Sequence, residues 1–361
     1  MYKMDNVLDY VKWRCDLTFE EQPFNEIDNL IMAEVIYVDF NGAISEYPSK
    51  HTSTYKEAAD KVFANKDVDK IVLGLIVPNT IVKLADSIRT TKRFSNIKVS
   101  NYVNIIDIPS ACQFAAMCFH INKNLIYVSY RGTDDTIIGW QENLNLVKKG
   151  PVEAEVKAAK YLNEIAKLFP KCELIVGGHS KGGNLATYAA IYCDDKVKDR
   201  IVKVYNNDGP GFLKENIDND KFLSIKSKIV RIIPYCSVVG LLLDSFCGKT
   251  LIVSSNAKGV NQHDAFSWEV CLNHFVKVKE LALNAKKLDN AITTMISNLT
   301  EEERNDLAVN VYNFVIELNK DTLIDCHNDP IRLIKYLNKI TTKNRKIFMQ
   351  LMYNFIKYKQ L

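Results

Sequence analysis

No stretch of this chain is apolar for long enough to cross a membrane. The longest apolar run, Ile232 to Leu243, holds a proline and falls well short of the roughly 20 residues that a spanning helix needs. The chain also lacks an excess of either charge. Its 47 Lys+Arg against 43 Asp+Glu leave only +4 at pH 7, so no broad basic face argues for a nucleic-acid partner. Its nine cysteines include no Cys-x-x-Cys pair and make an odd total, a pattern that suits reduced, mostly buried thiols better than a disulfide framework. There is no His-Glu-x-x-His, no set of paired Cys/His ligands and no Gly-rich phosphate loop ending in Gly-Lys-Ser/Thr, so no metal and no nucleotide cofactor is expected. Internal repeats and low-complexity tracts are missing too. The first residues, Met1 to Asp5, lead into a charged amphipathic segment rather than an apolar signal core. These absences describe a soluble, cytoplasmic protein without cofactors, its oligomeric state left open. With 361 residues and 47% apolar composition, the core can be large.

What is present falls into three stretches. Asn6 to Cys15 and Phe24 to Val38 place apolar residues at helical spacing. Ser53-Thr54 offers a cap for a helix through Ala64, and another helix is expected from Asn79 to about Thr91. From Lys98 the period changes. Val99 to Ile105, Gln113 to Phe119 and Leu125 to Tyr130 read as strands, with Asn122-Lys123-Asn124 as a hairpin turn. Helices follow over Ile137 to Val147 and Pro151 to Phe169, the second with proline in its first turn. Strands then alternate with helices or loops: Leu174 to Val176, Ile201 to Tyr205, Ile229 to Ile233 and Leu251 to Val253. That alternation predicts a mainly parallel sheet covered on both faces. From Ala265 onward the pattern is helical throughout, with a capping box at Thr300-x-x-Glu303 and a core or docking stripe within Asn344 to Tyr358.

The chemistry centres on Gly178-His179-Ser180-Lys181-Gly182, set between a β-branched strand and a helix of small residues. A Gly-x-Ser-x-Gly in that context is a nucleophile elbow, in which a tight turn holds a serine hydroxyl at a helix N-terminus. The glycines are needed because β-carbons two residues either side of the serine would collide with neighbouring backbone. A serine nucleophile needs a base, a group that orients the base, and oxyanion donors. Of the histidines after Ser180, His274 falls inside an apolar helical pattern and His327 in a late acidic turn. His263 sits in a polar loop after the last sheet-like strand, where the base belongs. The acid stays open among Asp208, which precedes a Gly-Pro-Gly turn, Asp244, and Asp264, which is awkwardly adjacent to His263. Oxyanion donors are expected from the N–H of Lys181 and, at the end of the Leu125 strand, from Thr133.

Tyr130-Arg131-Gly132-Thr133 with Trp140 downstream, followed by Gly178-His179-Ser180-Lys181-Gly182-Gly183-Asn184-Leu185-Ala186, resembles the class 3 lipase pattern of the α/β-hydrolases. The chain is more closely similar to a bacterial lipase-like family of unassigned function. Asn25 to Leu30, Asn207 to Phe212, Ser237 to Gly240 and Gln262 to Trp268 carry that likeness. The resemblance implies an α/β-hydrolase fold with helical additions, divided as 1–95, a core over 96–285, and 286–361. It implies hydrolysis of an ester, of an acyl lipid or a similar apolar substrate, by Ser180, His263 and an acid. Class 3 lipases carry that acid after the strand equivalent to Ile229–Ile233, where this chain has Pro234-Tyr235-Cys236-Ser237. Either Asp208 substitutes from the preceding strand or the acid is missing. Thioester or amide hydrolysis by the same machinery, and a binding protein that no longer turns over, are the alternatives.

Overall fold

A computed structural model of the chain describes residues 4–74, 77–134, 136–318 and 336–358. Its centre is an eight-stranded sheet whose spatial order is the chain order: β1 (Ser53–Thr54), β2 (Lys98–Asp107), β3 (Cys112–Asn122), β4 (Leu125–Tyr130), β5 (Glu173–His179), β6 (Ile201–Asn207), β7 (Ile229–Pro234) and β8 (Lys249–Val253). The first four strands pair antiparallel, and β4 to β8 pair parallel.

The N-terminal helices are α1 (Val7–Arg14), α2 (Glu26–Val35), α3 (Tyr55–Phe63) and α4 (Thr80–Ile88). The first three each open with a capping box, Asn6 with Asp9, Asn25 with Asp28, and Thr54 with Glu57. After β4 come α5 (Ile137–Asn145) and α6 (Glu153–Leu168), after β5 come α7 (Lys181–Tyr192) and α8 (Asp195–Arg200), and α9 (Asn219–Ile225) precedes β7. Parallel strands need crossovers, which are nearly always right-handed. Because β4 to β8 step in one direction, those crossovers accumulate on one face, where α6, α7 and α9 pack on Ile126, Val128, Leu174, Val176 and Val204. The other face would be bare without the N-terminal helices, which bury Met117, Phe119, Tyr127, Ile175 and Tyr205. This is an α/β-hydrolase fold.

The N-terminal layer is fixed by a buried ion pair. Arg93 and Asp28, both fully buried, meet at 2.6 Å, and the guanidinium also donates to the carbonyls of Leu17, Thr18 and Gln22. Removing one partner of such a pair typically costs about 3–5 kcal/mol, because the other charge is left buried alone.

Two sequence expectations are corrected. Pro151 does not start a helix: α6 begins at Glu153, and Glu155 Oε2 accepts the Val152 N–H at 3.0 Å. The chain is not helical throughout from Ala265. A 3₁₀ turn over Ala265–Ser267 leads into a small ribbon, β9 (Val270–Cys271) and β10 (His274–Phe275). Burial of Trp268, Val270 and Phe275 in the core beneath α2 overrides the local pattern. Only from α10 (Leu283–Ser297) do α11 (Glu301–Leu318) and α12 (Thr342–Tyr358) give the expected helices. Glu303 Oε2 accepts the Thr300 N–H at 2.8 Å, as the capping box requires. Phe348 and Met352 of the α12 stripe pack on Leu307, Val311 and Phe314 of α11, so its described part is core. Likewise, Leu243 of the apolar run Val238–Leu243 packs against Leu288 and Ile292 of α10. The part of the expected helical pattern over residues 319–335, which includes Pro330, lies outside the described residues. Among the described residues no helix is long and apolar enough to cross a membrane.

Glu155 gives the fold a pH dependence. Burial raises its carboxyl from 4.5 to about 8. The folded chain therefore holds a proton that the unfolded chain releases, so this contribution is full below about pH 4.5 and is lost as pH rises through about 8. Glu155→Gln, which keeps an acceptor for the Val152 N–H, should flatten the fall of Tm between about pH 5 and about pH 8. Equal Tm slopes in wild type and variant would remove Glu155 as the cause.

Candidate active site

The strand order puts the ends of β4, β5 and β6 side by side. Register pairs Tyr130 with Gly178 and His179 with Asn207, so Ser180 and Asp208 leave adjacent strands at the same height. Ser180 sits between β5 and α7 with φ +57° and ψ −132°, a conformation that non-glycine residues occupy at a cost. Its N–H is held by the Asn207 carbonyl at 2.9 Å. A β-carbon on Gly178 would strike the Gly182 carbonyl, and one on Gly182 would strike the Tyr130 carbonyl. The elbow thus needs both glycines.

Asp208 is fully buried and also has positive φ, +48°. It is aimed from three sides. Its N–H donates to the Ile232 carbonyl at 2.8 Å, and the Gly209 N–H is held by Asn206 Oδ1 at 2.8 Å. Gly209 lies so close to the Ser180 carbonyl that a β-carbon there would overlap it. The Ser237 hydroxyl donates to Asp208 Oδ1 at 2.5 Å. The remaining oxygen, Oδ2, accepts the Nδ1–H of His263 at 2.7 Å, which leaves His263 Nε2 as acceptor for the Ser180 hydroxyl at 3.0 Å. Ser180, His263 and Asp208, drawn from three separate loops, therefore form one hydrogen-bonded chain.

Lys181 is the first residue of α7, so its N–H has no partner within the helix. Gly132 packs against the elbow: a β-carbon there would lie 2.7 Å from the His179 carbonyl and 3.2 Å from Ser180 Cβ. The Thr133 hydroxyl accepts from Asn143 Nδ2 of α5 at 2.7 Å. Both expected donors thus belong to segments that border the serine.

The other candidates lie elsewhere. His274 is on β10, exposed, not in a helix, because the ribbon replaces the expected helical pattern. His327 lies outside the described residues. Asp244 is exposed and bridges to Phe212 through its backbone. Asp264 turns to its own 3₁₀ turn, accepting the Phe266 N–H at 3.0 Å.

Sequence reasoning missed the contacts of three residues. The Lys181 side chain is buried and pairs with Glu142 Oε2 of α5 at 2.6 Å, while also donating to the Gln113 carbonyl at 2.7 Å. Burial lowers its pKa. His179 stacks on the His263 ring, centroids 4.7 Å apart, and reaches Glu34 of α2. Asn29 of α2 donates to Asn207 Oδ1 at 2.8 Å, tying the N-terminal layer to the elbow strand's neighbour. For the first two the sequence signal was the presence of His179 and Lys181 inside the elbow itself, with none at Glu142 or Glu34; Asn29 and Asn207 lie in segments that carry the family likeness.

Among solved structures the chain is similar to the Lip2 lipase of Yarrowia lipolytica, at 12% identity over 75% of this chain and 92% of that one, with a TM-score of 0.38. It is also similar to a triacylglycerol lipase from Penicillium expansum, at 13% identity over 51% of this chain and 74% of that one, TM-score 0.32. No curated protein matches it in sequence. A family model does, over residues 88–313, a span that takes in the sheet from β2 onward, Ser180, Asp208 and His263. The chain belongs to the Mbeg1-like family.

Proposed function

We propose that the protein is a serine hydrolase that cleaves an ester, with a core over residues 96–285 and helical additions on either side. The observation that carries this reading is the unbroken path from Ser180 Oγ through His263 to Asp208, at 3.0 and 2.7 Å. His263 Nε2 takes the hydroxyl proton as Ser180 Oγ attacks the carbonyl carbon. Asp208 holds the imidazole with Nδ1 protonated and stabilises the cation that forms. The N–H groups of Lys181 and Thr133 receive the oxyanion. Collapse of the tetrahedral intermediate expels the alcohol, which takes the proton from His263. Water then releases the acid from the acyl-enzyme by the same steps.

The substrate class is an acyl ester, lipid or similarly apolar. Thioesters and amides use the same machinery, so a panel of acyl esters, thioesters and amides of varied chain length decides among them. An alkyl fluorophosphonate should label the wild-type protein covalently at Ser180, as read by mass spectrometry of the modified peptide. A folded protein that is fully indifferent to the probe and to every member of the panel would instead be a binding protein on a hydrolase fold.

A further inference from the structure

His179 sits between two groups of different origin. Its Nε2 is 3.0 Å from the main-chain carbonyl of His263, its ring stacks on the His263 imidazole at an interplanar angle of 29°, and its Nδ1 is 3.0 Å from Glu34 Oε1. Trp268 meets the same ring edge-on and donates its indole N–H to the Gln262 carbonyl at 2.8 Å. The loop that carries His263 is therefore gripped immediately before and at the histidine.

We propose that His179 is a positioning residue for His263, its Nε2–H holding the His263 carbonyl and its ring backing the imidazole, with Glu34 fixing the His179 tautomer. The inference rests on the reading of His263 as the general base. A carbonyl only accepts, so His179 Nε2 must carry a proton. One further proton then lies between Nδ1 and Glu34. Burial raises the Glu34 carboxyl well above its ordinary range and lowers His179 well below its own, which puts that proton on Glu34. Nδ1 and Glu34 Oε1 stand 3.0 Å apart, within reach of that proton, and an ionised carboxylate buried there would be costly. Asp264 adds to the lift of Glu34. Tyr37 and Tyr127, phenols raised by burial, are the other ionisable groups facing it, and His263 is the one facing His179. A neutral His179 matters because His263 becomes a cation during the reaction, and a second cation stacked against it would oppose that step.

Four variants and one spectrum test the arrangement. His179→Phe keeps a ring and loses the donor; a misplacement of about 1 Å at the base can cost about 100-fold, so kcat should fall by about that factor with KM little changed. His179→Gln offers an amide donor and should retain more turnover than His179→Phe. Glu34→Leu frees the tautomer and should lower kcat by about tenfold, as loss of an outer partner does. Glu34→Gln, whose amide N–H can donate to Nδ1, should restore most of it. In the ¹⁵N spectrum at neutral pH, His179 should appear neutral and protonated at Nε2. A folded His179→Phe with kcat within about twofold of wild type, or a His179 protonated at Nδ1, overturns the proposal. The tautomer is read without turnover. A wild type inert to the fluorophosphonate therefore counts against the hydrolase reading and removes the positioning role with it, whereas a reactive wild type with the wrong tautomer counts against this inference alone.

Discussion

Ser180→Ala should abolish ester hydrolysis, lowering kcat by about 10⁶-fold, the scale on which a serine protease loses turnover with its nucleophile. The fold should survive. Ser180 is held at φ +57° by the Asn207 carbonyl on its N–H and by the contacts of Gly178 and Gly182. Alanine meets the same backbone cost as serine there, so Tm should barely move. Ser180→Gly makes the point from the other side, since glycine escapes the strain, which is worth about 1–3 kcal/mol. It should be inactive and more stable than both, because the elbow stores strain that only the hydroxyl justifies. Purified Ser180→Ala with undiminished turnover of p-nitrophenyl esters would exclude Ser180 from the mechanism.

The elbow was legible in the sequence because its determinants are local: a β-branched run, glycines at two fixed offsets and a helix of small residues. The sheet was legible for the same reason, since each strand carries its own period. His263 could be named by elimination and by its place after the last strand, and the structure sets it 3.0 Å from Ser180. Asp208 was one of three open choices, because chain order does not say which carboxylate turns inward. That depends on a left-handed backbone at Asp208 and on Ser237, supplied by a different loop. Strands of two residues, as in β9 and β10, are too short to show a period, and what places them is burial of Trp268 and Phe275. Glu34 under His179 and Glu142 under Lys181 left no trace in the sequence. Each is a carboxylate on a helix, like many others, until the fold brings it to a buried cation or imidazole.

Asp208→Asn should lower turnover by as much as about 10⁴-fold while leaving the protein folded. Asparagine matches the volume, tolerates positive φ as well as aspartate does, and can still accept the Ser237 hydroxyl proton. What it changes is the other oxygen. Asp208 Oδ2 accepts the His263 Nδ1–H at 2.7 Å. An amide nitrogen in that place donates instead, which favours a proton on Nε2 and takes away the lone pair that Ser180 needs. It also removes the charge that stabilises the imidazolium. Asp244→Asn makes the same change of one charge at constant volume, but on an exposed side chain whose residue engages Phe212 through the backbone. It should stay within about threefold of wild type. Ser237→Ala falls between them, since it strips one hydrogen bond from Asp208 without touching the imidazole, and a loss of about tenfold is expected. The order of the three is the test. If Asp244→Asn cripples and Asp208→Asn does not, the working carboxylate belongs to the loop after β7, as the class 3 lipase resemblance implies. If neither matters while Ser180 still labels, His263 works without an acid partner, and the 2.7 Å contact serves only to hold the loop.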